Sequence, residues 1–66
     1  MIRVYHFRLW DDRLNGFFVP PYKRPADRIS DLGGVMLAET AETVELSSLD
    51  NEKRYDPREH RRRLLT

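Results

Sequence analysis

Few residues of this chain have the types and spacing that chemistry at a site demands. The two histidines, His6 and His60, lack the i, i+3 or i, i+4 spacing of a helical metal pair. The chain has no cysteine, which removes a thiolate zinc site as well. No metal and no cofactor is therefore expected. Asp11 and Asp12 are adjacent carboxylates, but acid–base work needs groups that converge on one reacting atom, and neighbours on a turn diverge. Gly33-Gly34 follows a helical stretch instead of preceding one, the wrong order for cradling a phosphate, and reads as a helix stop. Ser47 and Ser48 have no adjacent base to activate them. With no nucleophile, base and orienting group in view, the expectation is a protein that is not an enzyme.

Three groups of residues suit binding instead. Lys53, Arg54, Arg58, Arg61, Arg62 and Arg63 concentrate cations toward the C-terminus. Such a cluster pairs with nucleic-acid phosphates, with Trp10 or Tyr22 available to stack on bases; the alternative is a solvated tail. Glu39, Glu42, Glu45 and Asp50 form the opposite pattern. On an edge strand they would face a basic protein surface, including one that normally holds nucleic acid, or would simply discourage unwanted sheet pairing. Trp10, Phe18 and Tyr22 are aromatic side chains that so short a chain has too little core to bury, and half-exposed aromatics are favoured interface anchors. These three are the leading candidates for a protein-binding surface, with the four carboxylates beside them.

The elements that must position these groups are constrained by size. The chain has 66 residues, and a domain of this length hides only about 60% of the surface its unfolded chain exposes. A protein partner or a second copy of the chain is expected to cover part of the remainder. Hydrophobic residues are 39% and charged residues 35%, a balance between a globular domain and a disordered segment. The aromatics tip it toward folded, and six of the seven fall between Tyr5 and Tyr22. The net charge of +1 hides segregation. Residues 1–25 carry five cations against two acids, residues 26–50 one against six, and residues 51–66 six against three. The first ten residues interleave Arg3, His6 and Arg8 with apolar ones, unlike a signal peptide, and no stretch approaches the roughly 20 apolar residues of a membrane span. The cytoplasm is the expected compartment, without membrane contact.

Ile2 to Trp10 alternates and is rich in β-branched and aromatic residues, which predicts one strand with Tyr5, Phe7 and Leu9 facing the core. Asn15-Gly16 supplies the positive φ of a hairpin turn, Phe17 to Val19 pairs back, and Pro20-Pro21 ends the ladder. Pro25 to Leu32 predicts a short helix, with Asp27 in its first turn, Gly33 beyond its end, and Ala26, Ile29 and Leu32 on its buried side. Val35 to Leu49 has two readings. As a strand it presents Met36, Ala38, Thr40, Val44 and Leu46 on one face and bends near Ala41-Glu42. As a helix it groups Leu37, Ala41, Val44 and Ser48. The strand is preferred because a two-stranded hairpin with one short helix is hardly stable. The expected fold is thus α+β, a single small ββαβ domain over residues 1–57, its antiparallel sheet packed by one short helix. Ser47 to Asp50 has the spacing of a capping box, predicting one helical turn. Residues 58–66 read as a basic C-terminal tail, a frayed helix or disordered.

The run Leu32-Gly33-Gly34-Val35-Met36-Leu37, with Glu39-Thr40-Ala41-Glu42-Thr43-Val44 and Leu49-Asp50-Asn51-Glu52-Lys53-Arg54-Tyr55, resembles a pattern in small uncharacterised open reading frames of proteobacteria and their phages. It covers the second half of the chain. The resemblance implies a protein that acts stoichiometrically on a larger host machine, as anti-CRISPR proteins do, and it carries over no catalytic or ligand residue. The expected function is therefore a binding or regulatory protein, an inhibitor encoded by a phage or mobile element that meets a nucleic-acid-handling host complex. The alternatives are a nucleic-acid-binding accessory protein working through the arginine-rich tail, and a structural subunit or homodimer.

Overall fold

The computed structural model describes residues 1–58. Its elements are β1 (Ile2–Val4), β2 (Phe7–Asp11), β3 (Gly16–Phe18), the helix α1 (Ala26–Asp31), β4 (Val35–Met36) and β5 (Glu42–Val44), with 3-10 turns at Ala38–Thr40 and Leu46–Ser48. The fold is α+β, as expected. The single ββαβ sheet is replaced by two antiparallel sheets, β1-β5 and β3-β2-β4.

The division comes from a break in the first predicted strand. Val4 and Phe7 are both fully buried, yet residues three apart on an unbroken strand face opposite sides. Tyr5 and His6 reset the parity between them. The partner segment breaks at the same level. Ile2 pairs with Val44 and Val4 with Glu42, whereas Phe7 pairs with Met36 and Arg8 with Val35. Between the two ladders lie Tyr5 and His6 on one side and residues 37–41 on the other, and the 3-10 turn at Ala38–Thr40 takes up the excess. Backbone groups in the gap are satisfied locally. His6 N–H donates to Thr40 Oγ1 (2.8 Å), Leu37 N–H to the His6 carbonyl (3.0 Å), and Thr40 Oγ1 to the Leu37 carbonyl (2.6 Å). The region 35–49 is thus neither one strand nor one helix. It is two short strands in different sheets, bent at Ala38–Thr40, slightly ahead of the expected Ala41-Glu42.

The predicted β2–β3 hairpin is present, with Leu9, Trp10 and Asp11 opposite Phe18, Phe17 and Gly16, but its turn is residues 12–15, Gly16 begins β3 without a positive φ, and Val19 lies outside the strand. The Asp11 carboxylate accepts the N–H groups of Arg13 (2.8 Å) and Leu14 (3.4 Å), an Asx-type turn. Asn15 holds φ at 50°, a conformation asparagine tolerates better than most side chains.

Helix α1 starts after Pro25, and Gly33 at φ 72° closes it. Ile29 alone of the expected buried face is inside; Ala26 and Leu32 are exposed, because a six-residue helix presents one turn to the sheet. A Cβ on Gly34 would sit 3.2 Å from side-chain atoms of Ile29, Leu9 and Phe7, so glycine lets the chain leave the helix in contact with β2. The core has two parts. Phe7 and Ile29 occupy one, and Val4, Val44 and Tyr55, with Ile2 and Leu49 against them, form the other. Backbone pairs of Tyr5 with Arg24 (2.9 and 3.0 Å) and of Lys23 with Tyr55 (2.8 and 2.7 Å) fasten the second part to the first chain segment.

The capping-box expectation is corrected. The turn is Leu46–Ser48, preceded by Glu45 with no side-chain cap. Asp50 organises the chain after it instead, accepting N–H groups from Glu52 and Arg54 (both 2.9 Å), while Lys53 turns through φ 61°. Of the basic tail, Arg58 is described and its N–H donates to Asp56 (3.0 Å); residues 59–66, with Arg61, Arg62 and Arg63, lie outside the described residues.

Candidate protein-interaction face

The hairpin register decides which side chains act together, since cross-strand partners share a face and successive residues alternate. Trp10 stands opposite Phe17, and Arg8 opposite Val35. These four residues form the outer face of the three-stranded sheet. Trp10 and Phe17 are each 52% exposed and Val35 is 44% exposed. The indole and phenyl rings meet edge to face, with centroids 5.2 Å apart and planes at 82°. Arg8 lays its guanidinium over the Phe17 ring at 4.5 Å. Trp10 Nε1–H donates to Asp12 Oδ1 at 2.7 Å. Each ring is thus held by a neighbour before any partner arrives, which lowers the ordering cost of binding. An edge-to-face pair contributes about 0.5–1.5 kcal/mol beyond area burial.

The aromatic trio expected to form one surface is divided. Phe18 pairs with Leu9 and therefore faces the side of Phe7 and Met36, opposite to Trp10. It remains 39% exposed there, at the margin of the helix-covered side. Tyr22 is half-buried, 6.1 Å from the Phe7 ring, with the guanidinium carbons of Arg24 and Arg54 at 5.3 and 5.4 Å from its centroid. It joins the connecting segment to the C-terminal turn and lies apart from the Trp10–Phe17 pair. Phe17 is the residue that sequence reasoning missed. A four-residue turn, Asp12 to Asn15 between Asp11 and Gly16, sets the register that places it beside Trp10.

The carboxylate row is likewise dispersed. Glu42 lies on the inner side of β5, and its Oε1 accepts from Lys23 Nζ at 2.9 Å, with the Lys23 side chain only 13% exposed. Asp50 is held by Arg54 Nε at 2.9 Å. Burial pushes the Asp50 carboxyl up, but the donors of Arg54 and Glu52 outweigh it and hold the group below its ordinary value of 3.8. Glu39, in the first 3-10 turn, and Glu45, before the second, are exposed but do not share a strand.

The described part of the basic cluster is also engaged. Arg54 reaches Asp50 and, at 3.5 Å, Glu52, while Arg58 sits 3.5 Å from Asp56. Lys53 is half-buried in its turn. An open groove of about 450 Å³ lies among Met1, Glu42, Thr43, Val44, Glu45, Ser48 and Tyr55. Among the described residues there is no group of three His, Cys, Asp or Glu that could hold a metal ion, and no helix long and apolar enough to cross a membrane. No family model matches the chain, and no curated protein or solved structure shows significant similarity to it.

Proposed function

We propose that this chain is a small protein-binding module, working in the cytoplasm, that acts by occupying a surface of its partner through the outer face of the β3-β2-β4 sheet. The observation that carries the reading is the Trp10–Phe17 pair, half-exposed, mutually packed and fixed by Arg8 and Asp12. A small domain gains nothing for its own stability by leaving two large rings in water, and burial of such rings by a partner is the usual source of interface energy. Regulation or inhibition by stoichiometric binding belongs to the same proposal. Recognition is assigned to the aromatic face, because Glu42 and Asp50 already have cationic partners inside the molecule.

The test is a photo-crosslinking side chain placed at Phe17, compared with one at Arg28 on the exposed side of α1. Crosslinks confined to position 17, lost on Trp10→Ala while the melting transition persists, are the expected result. Truncating an anchor costs about 2 kcal/mol, roughly 30-fold in affinity. Capture that ignores Trp10→Ala and Phe17→Ala but disappears on removal of Arg61 to Arg63 would move the function to the tail and to nucleic acid.

A further inference from the structure

We infer that the occupant of the aromatic face is a second copy of this chain, packed face to face about a two-fold axis that crosses β2 at Trp10. The inference rests on the proposed binding role of that face and goes on to name its partner. The outer side presents Arg8, leaning over Phe17, then Trp10, and, in the turn that follows β2, Asp12, which is held on this side by accepting from the indole nitrogen at 2.7 Å. A cation, a pair of rings and an anion in that order along the strand direction are self-complementary when the order is reversed. A two-fold axis lying between two stacked sheets and running across their strands reverses it, setting each Arg8 over the other copy's Asp12 and the Trp10–Phe17 pairs over one another. Sheets pack about 10 Å apart, a gap that a long arginine side chain spans. The alternative axis, parallel to β2, stacks Arg8 on Arg8 and is disfavoured by like charge. Isologous contact is the commonest way for a surface to find a partner of matching shape.

The size of the face sets the expected strength. Standard interfaces bury about 800 Å² per partner, roughly a sixth of this molecule's 4967 Å². A sheet with a five-residue central strand and a two-residue edge offers less than that. The dimer therefore belongs among small, reversible interfaces and is expected to form and dissociate with concentration.

The experiment is sedimentation of the full chain from micromolar concentration to about 1 mM, a range that brackets reversible dimers, for wild type, Arg8→Asp and Asp12→Arg. Melting curves on all three confirm the fold. Wild type is expected to dimerise. Each single variant places two like-charged contacts across the axis and is expected to weaken association about tenfold or more. Mixing the two variants in equal amounts makes both contacts attractive again, and association is expected to return to near the wild-type level. A folded wild type that stays monomeric to about 1 mM overturns the inference, as does a dimer indifferent to the charge reversals or unrestored by mixing. If the wild type stays monomeric while Trp10-dependent crosslinking captures another protein, the binding role of the face stands and the second copy is excluded.

Discussion

The β1-β5 sheet and the β2-β4 part of the other are cut from the same two stretches of chain, 2–11 and 35–44, with β3 (Gly16–Phe18) added to the second, yet the outward positions of the two sheets are filled in opposite ways. In the first sheet the outward cross-strand pair is Arg3 with Thr43, both exposed and polar, while Val4 and Val44 face Tyr55. That is the pattern of a sheet with one face in the core and one in water. In the second the equivalent pair is Trp10 with Phe17, and Val35 lies on the same side. The inner side is already supplied by Phe7, Leu9 and Ile29, so the outer rings are not required to complete the monomer's core. Paired strands thus carry a polar outward pattern in one sheet and an apolar one in the other, the face proposed for binding.

The sharpest way to break the comparison is to empty the two sides of β2 separately. Phe7→Ala removes a fully buried ring and is expected to cost about 3–5 kcal/mol. The whole stability of a 66-residue domain is on the order of 3–10 kcal/mol, so thermal denaturation should show a transition lowered by tens of degrees or lost. Trp10→Ala, three residues away on the other side, gives up the edge-to-face contact and the burial of half a ring and should cost about 1–2 kcal/mol, with about 4–8 °C for each kcal/mol. Equal losses for the two variants would make Trp10 part of the core and end the distinction.

A smaller effect sharpens the inner side. Gly34→Ala brings a methyl group to 3.2 Å from Ile29, Leu9 and Phe7, and all three must yield together. The expected cost is about 1–3 kcal/mol by overpacking, read from urea midpoints. Gly33→Ala has open space around it but keeps a positive φ, so its cost is backbone strain alone, of about 1 kcal/mol. Comparing the two separates packing from conformation at one helix end.

How much of this was legible in the residues themselves follows from the kind of information each feature needs. The hairpin, the helix limits and the α+β class were readable because Asn15, Pro25 and Gly33 encode local backbone geometry. The break at Tyr5-His6 was signalled only by a change of phase within the strand, whose apolar residues fall at Ile2 and Val4 and then at Tyr5, Phe7 and Leu9. What breaks it is the 3-10 turn at Ala38–Thr40, more than thirty residues away, which supplies the hydrogen bonds for His6. The face of Phe18 was misjudged for want of a register, which the turn length would have supplied. Glu42 looked like a surface charge because its partner, Lys23, is brought to it only by the pairing of Lys23 with Tyr55. Tertiary contacts of this sort leave no local trace, whereas the exposure of Trp10 was predictable from the shortage of core.

The Lys23–Glu42 pair is the corresponding test on the first sheet. It ties the segment after the two prolines to β5, and its lysine is mostly shielded from water. Lys23→Ala leaves Glu42 without its counter-ion, at an expected cost of about 1–2 kcal/mol, between the values for exposed and buried pairs. Glu42→Gln, which keeps a hydrogen-bond acceptor for the ammonium, should cost less. The two variants should leave association through the outer face of the other sheet unchanged, as measured by sedimentation. A loss of association would mean that the two sheets do not divide stability and binding between them.

The smallest expected effect concerns the C-terminal turn that closes the first sheet's core. Asp50 accepts hydrogen bonds from the backbone of Glu52 and Arg54 and from Arg54 Nε, and these donors hold its carboxyl below 3.8 in the folded protein despite partial burial. A carboxylate whose folded value lies below its unfolded one contributes stability that is fully present at pH values above the unfolded value. That contribution is lost as the pH falls through the folded value. Asp50→Asn retains an acceptor for the backbone donors but not the charge that faces Arg54. The variant should therefore melt a few degrees below wild type at pH 6–7, since the ion pair is largely open to solvent. The gap should narrow below about pH 4, the ordinary aspartate range, and close once Asp50 is protonated. Melting curves from pH 7 to pH 2 measure it directly. A gap that stays constant across that range would show that the turn depends on hydrogen-bond geometry and not on charge, and one that widens toward acid would contradict the assignment of Asp50 as a stabilising carboxylate.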